Sequence, residues 1–328
     1  MVGSALFVKD ALKLSQGVGE SDAKGAADTV AEPSGPQVET AVTSTGRFYV
    51  VSKNFSDPNI DTGQWSLKVG GLVQNPYTLS YSDLEAIPTH QQHVTLECIS
   101  NPIGGNLIGN ALWTGIPLAT LIEKAGPFQD AAFVLTRSED GYTESLPIGL
   151  AKDSDVLLVY QMNGAPLTRA HGAPLRLLVP GLYGMKSTKW LTEIEIAAKY
   201  RPGYWEQRGW DENAVVKTMS RIDYPSNGTR IPMGPITLAG VAFAGNRGVQ
   251  RVELSADDGV TWQPATVEPA LSKYSWARWS TMWQFPNHGD YTLLVRATDQ
   301  TGQVQTSSLS EDFPDGASGY HSIGVTVA

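Results

Sequence analysis

From Arg47 onward the chain alternates short apolar stretches with Gly-, Pro-, Asn- and Asp-rich breaks. Most stretches carry the period-two alternation of half-buried strands. RFYVVSKNF, WSLKVGGLV and HVTLECIS read as strands, and YSDLEAIP as a short helix behind a polar cap. ALWTGIPLATLIEKAG changes period: its apolar residues fall at helical spacing, which predicts a helix from about Pro117 to a glycine stop at Gly126. AFVLTRSEDGYTESLPI predicts a hairpin turning at Asp140-Gly141. VLLVYQMNG, APLRLLVPG and WLTEIEIAA add strands, so residues 46–207 read as one α+β domain. After RPGYWEQRGW the pattern becomes purely short strands and turns, in ITLAGVAFAG, VQRVELSADDGVTWQPA, WARWSTMWQFP and YTLLVRATDQTG. Residues 208–328 are therefore expected to form an immunoglobulin-like β-sandwich without a disulfide staple. Residues 1–45, with almost no large apolar residues beyond position 16, read as an extended or disordered leader.

Composition narrows the function classes. A hydrophobic fraction of 41% supports sizeable cores, while 33 Gly and 20 Pro fit a turn-rich, β-rich chain. A net charge of -9, with both signs mixed along the sequence, argues against general nucleic-acid binding. No apolar run reaches the roughly 20 residues that span a bilayer.

Three features carry candidate chemistry. Cys98, the sole cysteine, cannot form an internal disulfide; it is an inert packing residue, a nucleophile or a ligand for a soft metal. His90 and His93 have the spacing of two metal ligands but no second cysteine behind them, which favours two partly exposed polar residues before a strand. SADDGVTW, residues 255–262, matches the Asp-box of sialidases, a hairpin device in which an Asp side chain bonds backbone amides. One copy does not make a propeller.

The segment YQMNGAPLTRAHGAPLRLLVPGLYGMKSTKW, together with ECISN, RFYVVSKN and NALWTGIPLATLI, resembles the molybdenum-cofactor domain of the sulfite oxidase family. The likeness runs from Arg47 to the C-terminus, with the sandwich in the place of that family's dimerisation domain. It implies a molybdenum–molybdopterin (Mo-MPT) cofactor, with Cys98 as the one protein thiolate on a metal whose other sulfurs come from the pterin dithiolene. Tyr160 then takes the position of the active-site tyrosine, and Lys186 stands near the substrate. His171 and Arg176 contact the pterin and its phosphate, Ser187 and Lys189 cradle that phosphate, and Ser52, Lys53 and Asn54 line the pterin and active site.

The activity implied is two-electron oxygen-atom transfer on a small sulfur compound or oxyanion. The alternatives are a sulfoxide (methionine sulfoxide) reductase and a cofactor-free binding module on the same fold. With no haem or iron–sulfur cysteine motif, the electron partner is expected on another chain or domain, such as a cytochrome. A homodimer is expected through the C-terminal domain, whose Trp262, Trp276, Trp279 and Trp283 exceed the usual needs of one small core. The pattern is nearest to exported or membrane-associated bacterial relatives, which implies an extracytoplasmic site and an anchor outside this chain.

The departures bear on substrate. Where the family's cysteine is followed by Asn-Arg-Arg, this chain has NPIGG, Asn101 to Gly105, with no cation. An arginine expected at Ser52 is missing, and the one expected at Lys186 is a lysine, which lacks the bidentate fork suited to oxyanions. Sulfite is thus expected to bind poorly.

Overall fold

The computed structural model describes residues 38–328. The predicted leader lies outside the described residues up to position 37. Its last part does not behave as a leader: Thr43 N–H donates to Asn110 O at 2.7 Å, and Ala41 O accepts from the Asn110 amide and from Trp276 Nε1. Chain order therefore begins before Arg47, because these backbone groups have partners in both halves of the molecule.

The first half is built on strands β1 (Ser66–Gly71), β2 (Tyr77–Ser80), β3 (His90–Glu97), β4 (Ile108–Pro117), β5 (Phe133–Ser138), β6 (Thr143–Pro147), β7 (Leu157–Met162), β8 (Ala165–Pro166), β9 (Arg176–Leu178) and β10 (Leu191–Ala197). One sheet has the order β2-β1-β10-β5-β6; the other runs β3-β4-β7-β8, with β9 also on β7. Among the described residues of this half, only β1 and β10 pair in parallel. Leu67, Val69, Ile194 and Ile196 of the first sheet meet Ile116, Leu158 and Leu177 of the second in one buried core. The helix Leu118–Ala125 closes it. Leu118, Leu121, Ile122 and Ala125 form its buried stripe, and Gly126, at φ 66°, ends it where an L side chain would be strained. The short helix Tyr81–Glu85 starts on a capping box between Ser80 and Asp83.

RFYVVSKNF does not form a strand. Its start is held in a turn by Arg47 and Phe48 N–H groups donating to Ser44 O, and the rest crosses the end of the fold without a strand partner. β-branched and aromatic residues give strand propensity, but pairing decides.

The second half comprises β11 (Met219–Tyr224), β12 (Thr229–Ile231), β13 (Pro235–Phe243), β14 (Val249–Ser255), β15 (Gln263–Pro264), β16 (Thr266–Val267), β17 (Ala277–Gln284), β18 (Gly289–Asp299) and β19 (His321–Val327). Two sheets, β11-β13-β17-β16 and β12-β19-β18-β14-β15, enclose a core of Leu238, Trp279 and Trp283 against Val252, Leu254, Leu293, Val295 and Val325. The Asp-box motif is the turn between β14 and β15. Asp257 accepts from both the N–H and the hydroxyl of Thr261, and Ser255 Oγ accepts from Gly259 N–H. It is a folding device.

The halves share a further core, in which Ile99, Ile108, Tyr183 and Met185 pack on Trp210, Val241, Phe243 and Trp276. The tryptophans expected to mark a dimer surface are thus largely consumed within one copy: Trp276, Trp279 and Trp283 are buried, and Trp262 lies under the Arg296 guanidinium. Helices are few and short among the described residues.

Candidate active site

At the end of β3 the chain turns, and Cys98 stands on the wall of a cleft with about 1060 Å³ of empty space, its open mouth included. That is the scale of a small-molecule or cofactor site. The opposite walls come from three separated segments: Phe48–Lys53, Ala170–Arg176 and Gly184–Trp190. Seven of the sequence-predicted residues meet here: Ser52, Lys53, Cys98, His171, Arg176, Ser187 and Lys189.

Cys98 Sγ lies 3.0 Å from Ser100 Oγ. Burial pushes its thiol pKa up, and the nearby carboxylates of Glu97 and Asp312 add to the rise. Such a thiol stays protonated at neutral pH unless a metal displaces the proton.

The cationic end is different. The Arg176 guanidinium is buried over the Trp113 ring and donates only to the backbone carbonyls of His171 and Ser187, at 3.1 and 3.3 Å, leaving Nε without a partner. Lys189 Nζ donates to Ser52 Oγ at 2.9 Å and Ala170 O at 3.0 Å, and desolvation lowers its pKa to about 7. Neither cation has a salt bridge to a carboxylate among the described residues. His171 donates from Nε2 to Thr45 O at 3.0 Å, and burial holds it neutral with a pKa of about 4. Lys53 is already engaged: Asp140 O accepts from it at 2.7 Å, with the Asp140 carboxylate 3.6 Å away.

Three of the expected residues do not line this cleft. Tyr160 does not line the cleft. On β7, buried on both faces, it points with Leu158 into the core between the sheets and meets the edge of Tyr81. Lys186 also turns away, because the single 3-10 turn Gly184–Lys186 aims Met185 and Ser187 at the cleft and Lys186 behind it. There Lys186 Nζ bonds Glu144 Oε1 at 2.9 Å and Glu206, with only 2% of the lysine exposed. Asn54 sits one residue beyond the wall and donates to Asp140 Oδ2 at 2.8 Å, which buttresses Lys53.

Sequence reasoning missed the aromatic wall. Tyr49, Tyr142, Trp205 and Trp210 line the cleft, and Phe313 packs on Trp210 at 5.3 Å. The signal for Trp205 and Trp210 was the aromatic run in RPGYWEQRGW, which read only as a domain boundary.

Comparison with known proteins places this geometry in a family. Residues 54–205 match the oxidoreductase molybdopterin binding domain and residues 211–312 the Mo-co oxidoreductase dimerisation domain. Sulfite oxidase of Arabidopsis thaliana is 30% identical over 339 residues, covering 84% of this chain and 85% of the plant protein. Mitochondrial sulfite oxidase of Mus musculus is 29% identical over 301 residues, covering 77% of this chain. The chain spans 55% of the length of that mouse protein and 60% of its Rattus norvegicus counterpart. The crystal structure of the sulfane dehydrogenase SoxCD from Paracoccus pantotrophus shares the fold, with a TM-score of 0.78 at 22% identity over 91% of this chain and 86% of that one. The chain belongs to the sulfite oxidase family of molybdopterin-dependent oxidoreductases.

The residues present fit the family's cofactor. A buried arginine with an orphaned Nε and a half-buried lysine, neither with a carboxylate partner among the described residues, face a cleft whose other wall offers a soft sulfur donor. Buried charge needs a counter-charge, and a pterin phosphate supplies one. Arg176, Lys189 and Ser187 would hold the phosphate end, neutral His171 the pterin, and Cys98 the molybdenum.

Proposed function

We propose that this chain is a molybdenum-cofactor oxidoreductase that moves an oxygen atom to or from sulfur, on an uncharged sulfur compound in preference to sulfite. The observation that carries the reading is the cleft joining the sole thiol to buried Arg176 and half-buried Lys189, which lack a carboxylate partner among the described residues. A cofactor-free module would leave those cations desolvated with nothing to compensate them. When bound, the cofactor supplies the two-electron redox chemistry.

In the oxidative direction, a thioether and one water become a sulfoxide, two protons and two electrons; the reductive direction reverses this. An S–O bond forms, water provides the oxygen, and the electrons pass to a separate one-electron carrier such as a cytochrome. The chain's own groups exclude water through the aromatic wall of Tyr49, Tyr142, Trp205 and Trp210, and a thioether packs well on aromatic edges. Preference for an uncharged substrate follows from charge. Lys186 is turned out of the cleft and neutralised by Glu206, Lys53 is paired with Asp140, and the carboxyl groups of Glu97 and Asp312 act on the Cys98 thiol. The dimerisation-domain match supports a homodimer, and the two packed layers, antiparallel except where β12 joins β19, support an immunoglobulin-like class for the second half.

The test is metal and pterin content of the purified chain, followed by dye-linked assays of sulfite, dimethyl sulfide and dimethyl sulfoxide. One molybdenum per chain and turnover of the organic pair are expected. Absence of molybdenum from protein made in a cofactor-competent host would refute the reading, and saturation by micromolar sulfite would refute the preference.

A further inference from the structure

The turn that follows Cys98 is held from the other half of the molecule. Within the turn, Asn101 N–H donates to Cys98 O at 2.9 Å, and the Asn101 side chain bridges Glu97 Oε1 and Leu107 N–H, each at 2.9 Å. Gly105 O then accepts from Arg221 Nη1 at 2.7 Å, although Arg221 belongs to β11, 116 residues away. The guanidinium is itself fixed, with Nε on Asp223 Oδ1 at 2.5 Å and Nη2 near Glu39 Oε1 at 3.4 Å, and its side chain is only 7% exposed.

A second contact lies beside it. A Cβ on Gly104, at φ +70°, would fall 2.3 Å from the His321 ring, so the backbone rests directly on that imidazole. His321 is anchored by accepting Ile222 N–H on Nδ1 at 3.0 Å. Ile99 completes the clamp by packing with Val241, Phe243 and Trp276. The NPIGG segment, lacking the family's arginines, is thus an inter-domain docking turn.

We infer that Arg221 and His321 of the second domain are positioning residues for Cys98, so that the second domain sets the place of the sulfur donor in the first. The inference rests on the reading of Cys98 as metal ligand, but its geometric part is measurable without that reading. A charge-assisted hydrogen bond to a turn carbonyl restrains local opening, and removing it raises the open fraction by roughly tenfold or more.

The sole cysteine makes the measurement simple, because alkylation followed by intact mass reports one site. In the full-length chain, at measured molybdenum content, R221M should increase Cys98 alkylation about tenfold, and R221K should recover part of the protection by donating one bond to Gly105 O. In the metal-loaded protein the same variant should shift the sulfur-to-metal absorption band, which a fold defect elsewhere would not move. R278M, which breaks only the exposed Arg278–Glu268 pair, serves as the control. Should R221M fail to fold, G104A supplies the test: it should expose Cys98, and the added H321A change should partly restore protection by removing the overlapping ring. Alkylation and absorption unchanged in folded R221M would overturn the inference. Lack of molybdenum with the alkylation pattern intact would overturn only the metal reading.

Discussion

Lys186 separates two accounts of this site. If it were a substrate cation, as its place in the motif suggests, Lys186→Met would raise KM and leave stability alone. The structure predicts the reverse. Lys186 Nζ holds Glu144 at 2.9 Å and Glu206 in a pocket where all three side chains are at most 3% exposed. Removing one partner of a buried ion cluster typically costs about 3–5 kcal/mol, because the remaining charge has no compensation. Without Nζ the buried Glu206 carboxylate loses its cation beside Glu144, which places this variant within that range. Glu144→Gln should cost far less. Desolvation first, and the Glu206 carboxylate second, push the Glu144 pKa up to about 8 against the pull of Lys186, so Glu144 is already protonated at neutral pH. Glu206, held by Lys186, Tyr200 and Gly203 N–H, keeps the negative charge. A folded-state pKa raised above the unfolded value gives stability that is complete below pH 4.5 and is lost as pH rises through about 8. Wild type should therefore lose about 1.4 kcal/mol per pH unit relative to E144Q within that window. Urea unfolding of both variants and wild type at pH 6 and 8.5, with matched cofactor content, gives the numbers. A K186M protein within about 1 kcal/mol of wild type and altered only in KM would refute the argument.

Other outcomes follow from the same geometry. Cys98→Ser should abolish dye-linked turnover while circular dichroism and the melting transition stay near wild type, since the thiol contributes little to packing. Arg176→Ala and His171→Ala should lower the molybdenum-to-protein ratio, because an unpaired buried phosphate costs about 1–3 kcal/mol, or roughly five- to hundredfold in affinity. Tyr160→Phe should leave kcat within about twofold of wild type, as judged by the same dye assay, because its ring belongs to the core and not the cleft. Light scattering at micromolar concentration should give twice the chain mass of 35.3 kDa; a monomer would remove the dimer.

What the sequence made legible was what local physics determines. Alternating runs bounded by Gly141, Gly126 and the Asp-box turn gave most strands and the helix Leu118–Ala125 in place, because period and turn chemistry act within a few residues. The family motifs likewise gathered Cys98, just after β3, His171 in a 3-10 turn, Arg176 at the start of β9 and Lys189 in the loop before β10, all at or beyond strand termini. Direction was the part that local pattern could not supply. β7 is apolar on both faces, so nothing in LLVYQM says that Tyr160 and Leu158 face one core while Leu157 and Val159 face another. In GMKSTKW the 3-10 turn rotates Lys186 out of the cleft by one position, and the glutamates that receive it lie 42 and 20 residues away. The same limit hid the meaning of NPIGG. Read alone, the segment is an anion site that has lost its cations; placed against Arg221 and His321, it is a surface that needed glycines so that a second domain could approach. Pro102 and Ile103 stand where the arginines would follow Asn101. The two glycines behind them let the backbone rest on the His321 ring and give Gly105 O to Arg221, so a stretch that reads as a depleted anion site is a turn shaped by its contact with the second domain.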